Sequence, residues 1–151
     1  MDAIDKKIIR ELQRDARLSN QDLSARIGLS PSPCLRRVRR LERDGVLVGY
    51  TALVDQEKYG LPINVFVTIR LETPAADTVN AFEAAIHKID EVVECYLMTG
   101  NRDYLLRVLA KDLKSYEAIV RNKLSAIAGV VSLESSFAFG QVKHTTVLPL
   151  S

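Results

Sequence analysis

The sequence predicts an α+β protein. An N-terminal, winged-helix-like helix-turn-helix domain is joined by a strand to a βαββαβ, ferredoxin-like αβ-sandwich. Three observations carry this. Apolar residues recur at helical spacing through the first 45 positions, and β-branched runs alternate with helical ones from Ile63 onward. Basic charge is also concentrated in the first part: residues 1–60 hold 12 Lys and Arg against 9 Asp and Glu, and residues 61–151 hold 9 against 10. The expected division is a helical domain over 1–48, a connecting strand and linker over 49–62, and a sandwich domain over 63–151.

In the first part, Ile4, Ile8, Ile9 and Leu12 lie on one helical face, with Asp2 and Asp5 near the positive end of the helix dipole. Ser19-Asn20-Gln21-Asp22 resembles a capping box and opens a second helix, whose apolar face is Leu23 and Ile27 with Ala25 at its side. Gly28 stops it. Ser30 caps a third helix, and Pro31 and Pro33 occupy a first turn where backbone N–H groups have no intrahelical partner to lose. That helix ends at Asp44-Gly45. Residues 46–55 (VLVGYTALVD) read as a short wing and a connecting strand, and residues 56–62 as a turn.

Beyond the turn, the expected elements are a strand over 63–71, a helix over 76–89, and strands over 92–98 and 104–109. A helix over 113–127 and a long strand over 130–142 complete the order. Phe66, Phe82, Phe137 and Phe139 read as core filling.

The composition excludes several classes. Hydrophobic residues make up 47% and charged residues 26%, which suits a globular chain rather than a disordered one. No apolar run approaches the roughly 18 residues of a membrane span. The start MDAIDKKIIRELQRD lacks a secretory h-region, so the expected location is the cytoplasm. Cys34 and Cys95 fit neither a disulfide framework nor zinc spacing, and His87 and His144 stand without a ligand cluster. No phosphate loop, dinucleotide fingerprint or nucleophile elbow occurs, so neither an enzyme nor a cofactor is expected.

The sharpest motif is Gln21 to Leu41, two short helices joined by Gly28-Leu29-Ser30. Between Ser30 and Arg43 stand five arginines and one acid, Glu42. The expected inner face of the second helix is Cys34 or Leu35, then Val38 and Leu41. Ser32, Pro33, Arg36, Arg37 and Arg40 are then expected to face outward, with Arg39 and Arg43 further along as phosphate contacts. Such a helix enters the DNA major groove, where an arginine fork can bind a guanine edge or clamp a phosphate. The candidate DNA-binding residues are therefore Ser30, Ser32, Pro33, Arg36, Arg37, Arg39 and Arg40. One such unit reads few base pairs, so a symmetric dimer is expected, formed through residues 48–54 or the open sheet edges. Cys34 suits either a thiol sensor or, more simply, a small buried hydrophobe; Cys95 reads the same way.

A second candidate is the turn Thr99-Gly100-Asn101-Arg102-Asp103. Gly100 permits positive φ and close backbone approach, Asp103 could accept from an α-ammonium group, and Asn101 or Arg102 could bind polar atoms. Groups of both signs in one turn suit a zwitterion. On the residues alone, a plain hairpin turn is the simpler reading.

The run from Asp5 to Asp55, with LSPSPCLRRVRRLE ahead of a Gly-Tyr pair, resembles the Lrp/AsnC family of transcription regulators. The likeness continues through MTGNRDYLLRVLAKDLKSYE and SSFAFGQVKHTTVLPL. It implies a sequence-specific regulator of double-stranded DNA, a homodimer through its sandwich sheets that assembles to a tetramer or octamer, and a small amino-acid effector. The resemblance places that effector beside Thr99, Gly100, Asn101, Arg102 and Asp103, with Asn122, Leu133 and Ser135 supplied by a neighbouring copy. Family members often carry an aromatic residue where this chain has Arg102. The rival readings are an architectural DNA-compacting protein and a metabolic enzyme with a basic helix.

Overall fold

A computed structural model describes residues 1–149. The chain divides into two units: residues 1–53 together with 142–149, and residues 54–141. The C-terminal piece, counted above with the sandwich, thus belongs to the helical unit.

In the helical unit, α1 (Ala3–Arg14), α2 (Asn20–Ile27) and α3 (Pro31–Arg43) surround a core of Ile8, Leu12, Leu23, Ile27, Cys34 and Leu41. The start of α1 is a full capping box. Asp2 accepts from the Asp5 backbone N–H at 2.9 Å, and Asp5 accepts from the Asp2 N–H at 3.0 Å. At α2, Ser19 accepts from Asp22 N–H, while its hydroxyl donates to the Asp22 carboxylate. Ser24, not Ala25, joins the buried side of α2, its hydroxyl donating to the Gln21 carbonyl. Gly28 closes this helix at φ 74°, a left-handed value that favours glycine. Residues 142–149 return to α1, where the Gln13 carboxamide donates to Thr146 O at 2.7 Å and accepts from Leu148 N at 3.3 Å.

Residues 46–55 form no strand. A strand needs a neighbour for its ladder, and none of the described strands pairs with this segment.

The second unit is a four-stranded antiparallel sheet of β1 (Ile63–Leu71), β2 (Val92–Leu97), β3 (Tyr104–Ala110) and β4 (Val130–Phe137), in the order β2-β3-β1-β4. With α4 (Ala76–Ile86) and α5 (Leu113–Ile119) this is the expected βαββαβ sandwich. Val65, Val67, Ile69 and Leu71 point into a core shared with Phe82, Ile86, Tyr116 and Ile119 of the helices. Strand alternation sends Asn64, Phe66, Thr68 and Arg70 to the opposite face. Of the four phenylalanines expected inside, only Phe82 is buried; Phe66, Phe137 and Phe139 are exposed.

Five boundaries differ from expectation: β2 ends at Leu97 instead of residue 98 and β3 at Ala110 instead of residue 109, and three others differ more. Helix α4 stops at Ile86 instead of residue 89. Strand β4 stops at Phe137, opposite Val65 near the start of β1, and one further bond, Ala138 N–H to Asn64 O at 2.9 Å, ends the ladder well short of residue 142. The expected helix 113–127 is α5 followed by a π-helical turn, Val120–Leu124, in which Ser125 N donates five residues back to Val120 O at 2.8 Å.

Candidate nucleic-acid interface and ligand turn

Helix α3 begins with prolines at its first and third positions, which have no N–H to offer. Ser30 holds the N-cap position without a side-chain capping bond, and Pro33 removes one of the two N–H groups that such a cap uses. Cys34 is fully buried and Leu35 is 37% exposed, so the cysteine takes the inner position. Burial pushes the Cys34 thiol up, away from the reactive thiolate. Cys95, also expected inside, is exposed on β2.

Ser30, Ser32, Arg36 and Arg39 are exposed and Pro33 is half-buried in the first turn. Arg37 and Arg40 depart from expectation. Instead of facing outward, both turn onto the N-terminus of α1. Arg37 Nη1 donates to Asp2 Oδ2 at 2.7 Å and Asp5 Oδ1 at 2.8 Å, and Arg40 Nη2 donates to Asp5 Oδ2 at 2.6 Å. The cause is the buried Asp5 carboxylate, which demands positive partners. Burial raises the Asp5 carboxyl, but the Asp2 N–H, the Arg37 hydrogen bond and the Arg40 charge outweigh it and hold it below its ordinary value. Asp2, bonded by the Asp5 N–H and Arg37, is held down from 3.8 to about 2.

In the sandwich unit, residues 99–103 join β2 to β3. Gly100 has φ 108°, in the left-handed region. Asp103 is engaged at both ends: its carboxylate accepts from Leu71 N–H at 2.7 Å and its N–H donates to Ile69 O at 2.9 Å. This ties the turn to the end of β1. Arg102 reaches β4, donating to Ser132 Oγ at 3.2 Å and Glu134 Oε2 at 2.8 Å. Thr99 and Asn101 are exposed.

The other effector candidates stand on β4 and the π turn. Asn122 is exposed on the π turn, Leu133 packs against the sandwich core, and the Ser135 hydroxyl is 2.5 Å from that of Tyr116. Ser135 lines an open cleft of about 620 Å³ with Leu113, Tyr116, Val120 and Phe137. Among the described residues, no hydrogen bond joins Asn122, Leu133 or Ser135 to residues 99–103.

Comparison with known proteins completes the picture. A family model described as a winged helix-turn-helix DNA-binding domain matches residues 1–48, and the Lrp/AsnC ligand binding domain matches residues 64–148. The chain belongs to the Lrp/AsnC family. The leucine-responsive regulatory protein of Salmonella typhimurium is 42% identical to it over 98% of this chain and 90% of that one. The Bkd operon transcriptional regulator of Pseudomonas aeruginosa is 43% identical over 99% and 98%. Among solved structures, a transcriptional regulator from Neisseria meningitidis in complex with L-Met is 39% identical, with a TM-score of 0.94 over 99% of this chain and 96% of that one. An AsnC family transcriptional regulator from Agrobacterium tumefaciens is 40% identical, with a TM-score of 0.94 over 99% and 97%.

This Lrp/AsnC chain is therefore a DNA-binding transcriptional regulator whose second part is a ligand-binding domain. No described helix is long and apolar enough to cross a membrane. What sequence reasoning missed in this regulator is the role of Asp2 and Asp5. The Asp-x-x-Asp spacing ahead of a helical run was the available signal, since it matches a capping box with aspartate at both ends.

Proposed function

We propose that this Lrp/AsnC regulator reads operator DNA as a homodimer in the cytoplasm, and that an amino acid acting at residues 99–103 adjusts its assembly. Ser32, Arg36 and Arg39 face the bases and nearby phosphates, and Ser30 and Pro33 bring the first turn of α3 close to the backbone. One observation carries the DNA part: α3 leaves Ser32, Arg36 and Arg39 exposed beside a proline-led first turn. A bidentate arginine–guanine contact contributes about 1–3 kcal/mol of discrimination. Arg36→Ala should thus lower affinity for an operator selected from random duplexes by roughly tenfold or more at fixed salt. Unchanged affinity would reject this face.

Dimerisation suits the sheet face opposite the helices, where Phe66 is exposed, and further assembly to a tetramer or octamer would bring Asn122, Leu133 and Ser135 of one copy to the turn of another. The left-handed Gly100 and the exposed Asn101 support the effector reading, as does the L-Met bound to the Neisseria relative. A thermal-shift screen of the twenty amino acids tests it, since a ligand of the native state raises the melting temperature. Asn101→Ala and Arg102→Ala should remove the shift while leaving the ligand-free melt in place. A shift that survives both would move the site elsewhere.

A further inference from the structure

The arginines of α3 fall into two classes. Arg36 and Arg39 are exposed, whereas Arg37 and Arg40 converge on one carboxylate. Asp5 is 1% exposed and receives three donors: its own capping partner, the Asp2 N–H, at 3.0 Å, Arg37 at 2.8 Å and Arg40 at 2.6 Å. Both side chains stay partly exposed, 25% for Arg37 and 42% for Arg40, and each is gripped through a single terminal nitrogen. The other terminal nitrogen of each fork takes no part in these contacts.

We propose that Asp5 is a positioning residue for DNA recognition: it holds Arg37 and Arg40 as oriented phosphate contacts at the α1 side of α3 and keeps them out of base reading, which falls to Arg36 and Arg39. The physical reason is selectivity. Mobile cations release counterions on any duplex, so each one raises sequence-independent binding. A carboxylate that tethers two of them lowers this background, and it orients the guanidinium groups before the DNA arrives, which reduces the ordering cost of each contact.

The inference rests on α3 being the recognition helix, and the test separates the two. Full-length wild type, Asp5→Asn, Arg37→Ala, Arg40→Ala and Arg36→Ala are titrated against the selected operator and a scrambled duplex over a range of salt. Asp5→Asn removes one negative charge, releases Arg40 from its carboxylate and leaves Arg37 held by Asp2 alone. Scrambled-duplex affinity should rise several-fold, the salt slope should steepen by about one unit, and the operator-to-scrambled ratio should fall at least fivefold. Arg40→Ala and Arg37→Ala should weaken both duplexes alike and leave that ratio within about twofold, whereas Arg36→Ala lowers it. A merely structural Asp5 would instead give parallel loss on both duplexes in Asp5→Asn with an unchanged slope, and that result overturns the proposal. So does an Arg37→Ala or Arg40→Ala variant that loses the ratio as Arg36→Ala does. If Asp5→Asn fails to fold, the two arginine variants decide by the same ratio. An Arg36→Ala variant indistinguishable from wild type on both duplexes rejects the recognition face itself, and the role of Asp5 falls with it.

Discussion

Asp2 and Asp5 make the helical unit sensitive to acid, and the sign follows from their environment. Both carboxyls titrate below their ordinary value in the folded chain, so folding favours their ionised form. Their contribution is complete above the ordinary value of 3.8 and is lost as pH falls toward about 2. The melting temperature should therefore drop between pH 5 and pH 2, and less steeply in Asp2→Asn; equal slopes would show that the cluster is not linked to folding. Cys34 gives a second residue-scale prediction. Its side chain is fully buried among Ile8, Leu12 and Leu41, so Cys34→Ser buries a hydroxyl and should cost about 1–3 kcal/mol in denaturant titrations. Iodoacetamide should label Cys95 well before Cys34. The inner stripe of α3 was legible, because Cys34, Val38 and Leu41 repeat at helical spacing. Arg37, three positions after Cys34, lies on the flank of that stripe and was within reach of the same reading. Its partner was not, for Asp5 is 32 residues away in sequence and no local pattern links the two.

At the scale of elements, strand β1 was read to the residue because Val65, Val67, Ile69 and Leu71 alternate between the turn ending at Pro62 and the Thr73-Pro74 break. The segment 46–55 carries the same β-branched composition and yet lies outside every described ladder. Propensity names a residue's taste for a pleated surface, but only a neighbouring strand supplies the hydrogen bonds. Val46 and Leu47 donate to Leu41 O, but amides of residues 48–55 should exchange rapidly in dilute monomer, and become protected if this stretch pairs on self-association. The π turn was equally hidden, since periodicity marks a helix without marking one extra residue within it. Gly129, by contrast, is a demanding position. It has φ 87°, its carbonyl accepts from Glu72 N–H at 2.8 Å, and an added Cβ would lie 2.5 Å from Thr78 Cγ2. Left-handed backbone alone costs an alanine about 1–2 kcal/mol. With the steric contact added, Gly129→Ala should lower the denaturation midpoint of the sandwich unit clearly, while Gly49→Ala, which meets nothing, should not.

For the whole molecule, the uneven charge and the open sheet face assign different work to the two units. Phe66 lies on the face away from the helices and is 39% exposed, so a charge there opposes the stacking of two sheets. Phe66→Glu should sediment as a monomer with a far-ultraviolet spectrum like wild type, and its operator affinity should fall with the loss of the second half-site. A dimer that survives this change would place the interface elsewhere. The helical unit also has an unusual make-up: it is assembled from both ends of the chain, with residues 142–149 clasped by the amide of Gln13. During translation the three helices leave the ribosome before the sandwich unit, and their strap emerges after it. A nascent chain halted before residue 142 can pack its three-helix core and still carry Gln13 without the backbone it grips. The DNA-binding unit of this regulator thus reaches its finished form only after the intervening sandwich has been synthesised.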